Sequence, residues 1–375
     1  MRKKVKPHLL LMLIWLVSCQ RSPAPNVQEP AITQTTSLQS PTVTATPLLE
    51  VLATSLPIQT TQSPATMPVA FDETWPFDIP IQTTAPPTGW RPPMYPLPWA
   101  PTPYDHFLFI RPIAANENYW ILANYRYGGV FFTGVVHTGI DIPVKTGAEV
   151  FAAGPGRVSW VGYGLLSAEY NPDDPYGLAI VIRHDFGYQG QTLYTVYGHL
   201  SSVGVTLGQH VETGDLLGLS GATGHVTGPH LHFEVRIGRN SFSRSRNPEL
   251  WISPPQGWGI LAGRITDSFG ENLTSKEVLI RSLETGQKYT VRSYGAGSVN
   301  SDPYYNENVV IGDLPAGKYS IWLLDETSDH AELEIYPGRV SYFSFRRGLG
   351  FDTRLPPAPR NGFATPVIET TPPTP

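Results

Sequence analysis

Apolar and polar residues alternate in short runs through the middle of the chain, and Gly, Pro, Asn and Asp separate the runs. Examples between residues 104 and 252 are EVFAAGPGRVSWVGYG, LAIVIRHD, TLYTVYGHL and HLHFEVRIG. Alternation over such lengths is typical of β-strands, and residues 104–250 contain no convincing amphipathic helix pattern. The pattern therefore predicts a mainly β fold, with an antiparallel-sheet domain over residues 104–252.

A second β pattern follows a break near Pro254 and covers residues 256–348. It includes WGILAGRITDSFGENL, NVVIGDLPAGKYSIWLLD and AELEIYPGRVSYFSF. Alternating apolar residues separated by turns predict a small antiparallel β-sandwich. GRITDSFGENL and DLPAGKYSI resemble the carboxypeptidase-regulatory-like and transthyretin-like sandwich modules. The segment carries no catalytic constellation, so wall binding, partner binding and spacing all remain open as its role.

The amino-terminal residues have the features of an export signal. MRKKVK is cationic, and LLLMLIWLV is an apolar run that suits a signal peptide better than a membrane span. LVSC, ending at Cys19, resembles a bacterial lipobox, which implies a signal peptide over residues 1–18 and lipid modification of Cys19. The alternative is a chance Cys after an ordinary signal peptide. Because Cys19 is the only cysteine, an internal disulfide is impossible.

The segments outside the two β regions are rich in Pro and Thr. Residues 19–103 combine a Pro/Thr/Ser/Gln-rich tether, which we expect to be disordered, with an aromatic stretch over 71–103 that contains Trp75, Trp90 and Trp99. We interpret residues 71–103 as a strap over the folded domain, with sugar stacking as the alternative. Residues 349–375 form a second disordered tail. The net charge of −5 and the lack of a Lys/Arg stripe argue against nucleic-acid binding.

Seven of the ten histidines lie between residues 137 and 232. In HTGID, His137 and Asp141 are four apart, and a bend at Gly139 could bring both side chains to one point. An imidazole nitrogen and a carboxylate oxygen are both good Zn²⁺ ligands. Taken alone, the pair is weak evidence, because such spacing is common.

The run HLHFEV contains two histidines two residues apart. Residues i and i+2 of a strand point to the same face, so His230, His232 and Glu234 should stand side by side. Two neighbouring imidazoles on a buried face indicate a polar task, such as a metal ligand beside a catalytic partner. In YGHL, His199 ends a strand-like run, and taken alone it is more simply a core or rim residue.

Together these motifs resemble the lysostaphin/LytM-type zinc endopeptidases of bacterial cell walls. The resemblance covers Tyr104–Ile252 and rests on HTGID, YGHL and TGPHLHFEV in the family's order. It implies a zinc cofactor and five functional positions, with no other cofactor. The implied zinc ligands are His137, Asp141 and His232, and the implied catalytic residues are His199 and His230.

Several nearby residues have roles that the sequence leaves open. Glu234 either orients a zinc-binding histidine from behind or pairs with a cation such as Arg236. We expect His184 at a turn or rim, His210 exposed in a turn, and His225 in a loop that touches substrate or has no fixed role. Neither Tyr125 nor Tyr127 aligns clearly with the tyrosine that precedes the first zinc ligand in some of these enzymes.

The resemblance, the lipobox-like LVSC and the tether together predict a membrane-anchored, extracytoplasmic and monomeric zinc endopeptidase that cuts peptide cross-links or stem peptides of peptidoglycan. One alternative is a non-catalytic scaffold that activates another wall hydrolase. Another is a different zinc peptidase, such as a D,D-carboxypeptidase, although those families use other spacings. The bond cleaved stays open, because specificity should depend on groove loops such as residues 165–176.

Overall fold

The computed structural model describes residues 93–114, 121, 123–132, 134–297, 299–327 and 329–358. The predicted signal peptide, Cys19, the tether through residue 92 and the tail from residue 359 lie outside the described residues. Strands dominate this part of the chain, and its helices are three 3-10 turns at Ala123–Tyr125, Phe242–Arg244 and Pro248–Leu250. The predicted mainly β fold class is confirmed. In the part of the chain described here, we find no helix of the length and hydropathy that a membrane crossing requires.

Twelve strands precede residue 247. They are Val130–Phe132 (β1), Val135–Val136 (β2), Ile140–Pro143 (β3), Glu149–Phe151 (β4), Gly156–Gly162 (β5), Ala179–Tyr188 (β6), Gln191–Gly198 (β7), Leu200–Val203 (β8), His210–Val211 (β9), Leu216–Ser220 (β10), His230–Ile237 (β11) and Ser245–Arg246 (β12). The main sheet has seven strands, in the order β12-β11-β7-β6-β5-β9 with β3 also paired to β11. Strands β4, β10 and β8 form a smaller sheet, and β1 and β2 form a hairpin.

The centre of the main sheet is antiparallel and locally connected. Strands β6 and β7 are joined at Gln189 and Gly190, whose φ values of 50° and 71° suit a tight hairpin turn. Strand β11 then pairs with β7 on one side and with β3 and β12 on the other. Because β11 has a neighbour on each side, its side chains are held in a fixed register.

Eight further strands form two four-stranded sheets. They are Trp258–Thr266 (β13), Glu277–Ser282 (β14), Lys288–Arg292 (β15), Val309–Pro315 (β16), Gly317–Leu323 (β17), His330–Ile335 (β18), Val340–Arg346 (β19) and Gly350–Asp352 (β20). The sheet orders are β16-β13-β19-β20 and β15-β14-β17-β18, and one apolar core draws residues from both sheets. The expectation of a purely antiparallel arrangement is wrong at one point, because β13 and β19 are parallel. Strand β19 reaches β13 only after the chain has crossed to the other sheet and back.

One large apolar core extends across both parts of the chain. It contains Phe109 and Trp251 from the first part and Ile260, Tyr305 and Tyr342 from the second. All five side chains are buried. The first part of the chain therefore shares its packing with strands β13–β19.

Residues 93–103, the described part of the predicted strap, lie against the folded region. Trp99 stacks on Tyr95 with ring centroids 4.5 Å apart, and its indole N–H donates to the Gly338 carbonyl at 2.6 Å. The backbone of Trp99 also pairs with that of Phe107 in both directions. Trp75 and Trp90 lie outside the described residues.

Candidate active site

Strand β11 carries polar side chains at alternate positions along one face. His230, His232 and Glu234 alternate with Leu231 and Phe233, and every one of these residues is buried. In the sheet register His232 is directly opposite Asp141 on β3. The strand alternation thus brings the HLH histidines to the carboxylate of HTGID, which is 91 residues earlier in the chain.

Gly139 allows the HTGID segment to approach β11 closely. A Cβ atom at this position would lie 2.5 Å from the Phe233 carbonyl oxygen and 2.8 Å from Cε1 of His232. The bend at this glycine places Nε2 of His137 only 2.9 Å from Oδ1 of Asp141. Close backbone approach therefore accounts for the small residue between the two predicted ligands.

Three donor atoms converge on one point in the buried interior of the site. Nε2 of His137 lies 3.0 Å from Nδ1 of His232, and both nitrogens lie 2.9 Å from Oδ1 of Asp141. The three residues are between 5% and 8% exposed. Within the described residues, this is the one group of His, Cys, Asp and Glu side chains with the proximity needed to hold a metal ion.

Hydrogen bonds on the far side of each ring determine which nitrogen faces the other predicted ligands. Nδ1 of His137 lies 3.1 Å from the Arg126 carbonyl oxygen, and Nε2 of His232 lies 3.0 Å from Oε1 of Glu234. Because each of those nitrogens donates its N–H, the other nitrogen of each neutral ring presents a lone pair. Two lone pairs and a carboxylate oxygen at about 3 Å repel one another without a positive charge between them. The donor set therefore fits a divalent cation such as Zn²⁺.

The charge distribution supports the same conclusion. Burial alone would raise the pKa of the Asp141 carboxyl, but His137 and His232 hold that pKa well below its usual range. Burial opposes the charge on His232 as well, yet hydrogen bonds to Asp141 and Glu234 raise its pKa to about 9. Without a metal ion, this pKa keeps a positive charge on His232 at pH 7, and a bound cation would replace the proton that carries it.

Glu234 is completely buried and has four partners. Oε1 lies 3.0 Å from His232 and accepts hydrogen bonds from the hydroxyls of Thr138 at 2.5 Å and Tyr176 at 2.8 Å, while Oε2 accepts from Nε of Arg236 at 2.6 Å. The two roles considered for Glu234, orienting a histidine and pairing with Arg236, coexist in the structure. Burial would raise the pKa of Glu234, but Arg236 and His232 lower it far below the usual range.

His199 lies between two strands that belong to different sheets. It follows the last residue of β7 and precedes the first residue of β8, and its φ of 62° is in the left-handed region that non-glycine residues rarely adopt. Its Nδ1 lies 2.8 Å from the Thr223 carbonyl, and its ring centroid is 4.6 Å from that of His230 and 5.6 Å from that of His232. Burial, together with His232 and His230, lowers the pKa of His199 to about 3.

His230 presents its other ring nitrogen to the same site. Nδ1 lies 2.8 Å from the Gly228 carbonyl oxygen. Nε2 is buried, forms no hydrogen bond to any described residue, and lies 3.5 Å from Oδ2 of Asp141. Burial lowers the pKa of His230, so the ring is neutral at pH 7. A neutral imidazole with a free Nε2 can accept a proton.

A groove of about 710 Å³ opens above these groups. All five positions that the family resemblance implies line it, as do His225 and the loop residues Leu166 and Pro175. Tyr125 also lines the groove. Tyr127 instead points into the core, where its hydroxyl donates to the Ser245 carbonyl at 3.1 Å. Of the two tyrosines near His137, Tyr125 is therefore the one that faces the groove.

Two histidines outside the site have different environments. The expectation that His184 lies at a turn or rim is wrong, because it is buried within β6, 3.0 Å from the Pro155 carbonyl and 2.9 Å from Oγ1 of Thr195. Strands β5 and β7 flank β6, and an apolar core covers the face that carries His184. His210 is exposed in β9, as expected, and lies 2.6 Å from Oδ2 of Asp185.

Tyr176 and Thr138 are residues of the site that sequence reasoning did not single out. Tyr176 lines the groove, and its hydroxyl contacts both Glu234 and Arg236 at 2.8 Å. Thr138 lies in the HTGID motif between the predicted ligand His137 and the bend at Gly139. That position could have identified it as a residue of the site. Tyr176 follows the acidic loop NPDDP, and no pattern in the neighbouring sequence identifies it as a residue of the site.

The part of the chain that contains these residues matches a known protein family. The sequence pattern described as Peptidase family M23 matches residues 135–244. These residues form a peptidase family M23 domain. The stretch includes all five positions of the constellation and begins within the β1–β2 hairpin.

Similar curated proteins match about a third of the chain. The peptidoglycan DD-endopeptidase ShyA of Vibrio cholerae is 40% identical over 122 residues, 32% of this chain and 25% of ShyA. The DD-carboxypeptidase/endopeptidase Mpg of Neisseria meningitidis is 36% identical over 113 residues, 30% of this chain and 23% of Mpg. The chain thus spans about a quarter of the length of these relatives. Among solved structures, the lysostaphin catalytic domain from Staphylococcus simulans is 28% identical, covers 35% of this chain and 90% of that chain, and has a TM-score of 0.30.

Proposed function

We propose that this chain is a zinc-dependent endopeptidase that hydrolyses peptide bonds in peptidoglycan cross-links or stem peptides. The observation that carries the proposal is the convergence of Nε2 of His137, Nδ1 of His232 and Oδ1 of Asp141 beside two histidines in the groove. Family membership and the peptidoglycan enzymes named among the relatives support the substrate class.

His137, Asp141 and His232 would hold the zinc ion. Two imidazoles and one carboxylate leave a fourth tetrahedral position free, as in catalytic zinc sites. When bound, zinc supplies Lewis acidity, which lowers the pKa of water and polarises a carbonyl group. Glu234, which is buried against His232, keeps that ring in the tautomer that presents Nδ1.

His199 and His230 would accept and donate the proton that is transferred during hydrolysis. Each ring donates its Nδ1–H to a backbone carbonyl, so each Nε2 has a lone pair that can accept a proton from the attacking water. A ring that has taken the proton then has an N–H that can stabilise the oxyanion or protonate the leaving amine. Burial lowers the pKa of both rings, so both are neutral at pH 7 and each presents a lone pair.

The groove favours an endopeptidase over a carboxypeptidase. A carboxypeptidase needs a cation for the terminal carboxylate of its substrate, and Arg is the usual residue for that bidentate contact. The described residues that line this groove include no Lys or Arg. Mpg is named for both activities, so the two should be measured separately.

We further propose an extracytoplasmic enzyme that is anchored as a lipoprotein through Cys19. The lipobox-like LVSC and the Pro/Thr-rich tether support this location, as does the peptidoglycan substrate of the relatives. Metabolic labelling with a fatty-acid analogue tests the anchor: wild-type protein should incorporate the label and Cys19→Ala should not. Equal labelling of both would exclude lipid attachment at Cys19.

Digestion of defined peptidoglycans, with mass spectrometry of the released fragments, tests the activity. The wild-type chain should contain one equivalent of zinc and release fragments cut within cross-links or stems, and a chelator should stop the release until zinc is restored. His232→Ala should abolish both zinc binding and cleavage. A wild-type protein without stoichiometric zinc, or wall digestion that survives His232→Ala, would exclude the proposal.

A further inference from the structure

We propose that the sheets of strands β13–β20 position the zinc ligand His137 and form part of the substrate groove. The contact is made by residues 294–297, 299 and 300, hereafter the clamp loop, against residues 126–129, hereafter the ligand loop. The catalytic consequence of this inference rests on the proposed function, but the contact itself does not.

The first connection is a short series of backbone hydrogen bonds. The Gly295 N–H donates to the Gly128 carbonyl at 2.7 Å, and the Gly128 N–H donates to the His137 carbonyl at 2.8 Å. The His137 N–H in turn donates to the Gly129 carbonyl at 2.8 Å. One hydrogen bond from the clamp loop thus reaches Gly128, which together with Gly129 holds both backbone groups of His137.

A side chain of the ligand loop makes the second connection. The hydroxyl of Tyr127 accepts a hydrogen bond from the backbone N–H of Asn300 at 2.9 Å, and the Tyr127 side chain is about 1% exposed. The ring of Tyr294 packs edge-on against that of Tyr127 at 5.2 Å. The residue before Tyr127 is Arg126, whose carbonyl oxygen lies 3.1 Å from Nδ1 of His137. The clamp loop therefore fixes the group that orients the His137 ring.

A buried ion pair adds a third connection. The Arg126 guanidinium pairs with Glu249, and both residues are less than 10% exposed. Oε1 of Glu249 also accepts a hydrogen bond from the Gly312 N–H of β16 at 2.8 Å. Strand β16 thus supports the side chain of the same residue whose carbonyl meets His137.

Two glycines of the clamp loop bring it against the β1–β2 hairpin. A Cβ atom on Gly295 would lie 2.3 Å from Cγ2 of Val130, and one on Gly297 would lie 2.6 Å from Cγ2 of Val136. Val130, Val136 and Gly297 all line the groove. The clamp loop therefore sets the position of the β1–β2 hairpin, and that position determines the width of the groove.

Hydrogen–deuterium exchange on the full chain tests this contact directly. The substitution Gly295→Ala adds one methyl group that collides with Val130. We expect unchanged circular dichroism, at least tenfold faster exchange at the amides of Gly128 and His137, and about tenfold weaker zinc binding, the loss typical of disturbed ligand support. The double variant Gly295→Ala/Val130→Ala removes the collision and should restore slow exchange and zinc affinity. Phe269→Ala, at a side chain that is 87% exposed in the turn between β13 and β14, should match wild type.

Three results would overturn the inference. A folded Gly295→Ala protein with wild-type exchange at His137 and wild-type zinc affinity would show that the contact does not position the ligand. Failure of Val130→Ala to rescue Gly295→Ala would show that the collision is not the cause. If Gly295→Ala does not fold, Gly297→Ala is measured in its place. Wild-type exchange at His137 in that variant would also overturn the inference. If the wild-type chain cuts no peptidoglycan while Gly295→Ala shows these exchange changes, the proposed function alone is refuted.

Discussion

Nδ1 of His232 lies 2.9 Å from Oδ1 of Asp141, and the two residues are directly paired across strands β11 and β3. The hydrogen-bonded register of the sheet therefore sets the distance between these two proposed ligands. The separation of their backbones cannot change without a change in strand pairing. A site built on paired strands is more rigid than one built on loops.

Glu234→Gln should weaken zinc binding and destabilise the protein. The amide keeps the size of the side chain but removes the charge that faces His232 and Arg236. We expect roughly a 10–100-fold loss of zinc affinity and a loss of about 3–5 kcal/mol in the free energy of unfolding, because Arg236 is left buried without its partner. Zinc competition titrations and urea unfolding measure the two effects. Glu332→Gln, at an exposed carboxylate of β18, is the control and should change neither.

His199→Ala and His230→Ala should separate hydrolysis from metal binding. Each removes a ring with a free Nε2 beside the proposed ligands, so we expect kcat to fall by about 10²–10⁴-fold while zinc stays near one equivalent. Metal analysis and peptidoglycan digestion on the same samples provide the comparison. His210→Ala, at an exposed histidine, should retain full activity. Loss of zinc from both variants would place His199 and His230 among the ligands instead.

Gly139→Ala should damage the site through the backbone. The added Cβ would meet the Phe233 carbonyl at 2.5 Å and the His232 ring at 2.8 Å, so β3 and β11 must separate. We expect a loss of about 1–3 kcal/mol in stability and a measurable loss of zinc affinity. Gly204→Ala is the matched control, since its Cβ would have only ordinary contacts at 3.6 Å or more. Equal behaviour of the two variants would mean that Gly139 is not a packing requirement.

His184 should make stability fall in mild acid. Burial lowers the pKa of His184 to about 4 from an ordinary value of 6.5. Between these two pH values the unfolded chain binds a proton that the folded chain does not, so the free energy of unfolding decreases as pH falls from 6.5 towards 4, by roughly 3 kcal/mol in total. His184→Gln should flatten this part of the stability curve relative to wild type. Parallel curves from urea unfolding at pH 4 to 7 would contradict the prediction.

The part of the site that depends on local pattern could be predicted from the sequence. Strand alternation placed His230, His232 and Glu234 on one face, and the structure has them there. The glycine in HTGID indicated a bend, and His137 and Asp141 meet at 2.9 Å. These relationships follow from spacing over two to four residues, which backbone geometry alone determines.

Contacts between distant segments could not be predicted in the same way. His184 looked like a rim residue because it lies at the end of a strand-like run, but β5 and β7 pair on either side of its strand. Tyr176 reaches Glu234 across 58 residues, and Gly295 reaches Gly128 across far more. Such contacts depend on how sheets pack, and no local periodicity encodes that packing.

The large core that contains Phe109, Trp251 and Ile260 has a consequence for any exchange of domains between relatives. Residues 135–244 carry the family pattern, yet these three core residues all lie outside that range. A chimera joined at residue 244 would cut through the core, leaving Trp251 to face whatever surface the donor provides. A fragment of this protein that can be exchanged with a relative must therefore be longer than the stretch that matches the family pattern.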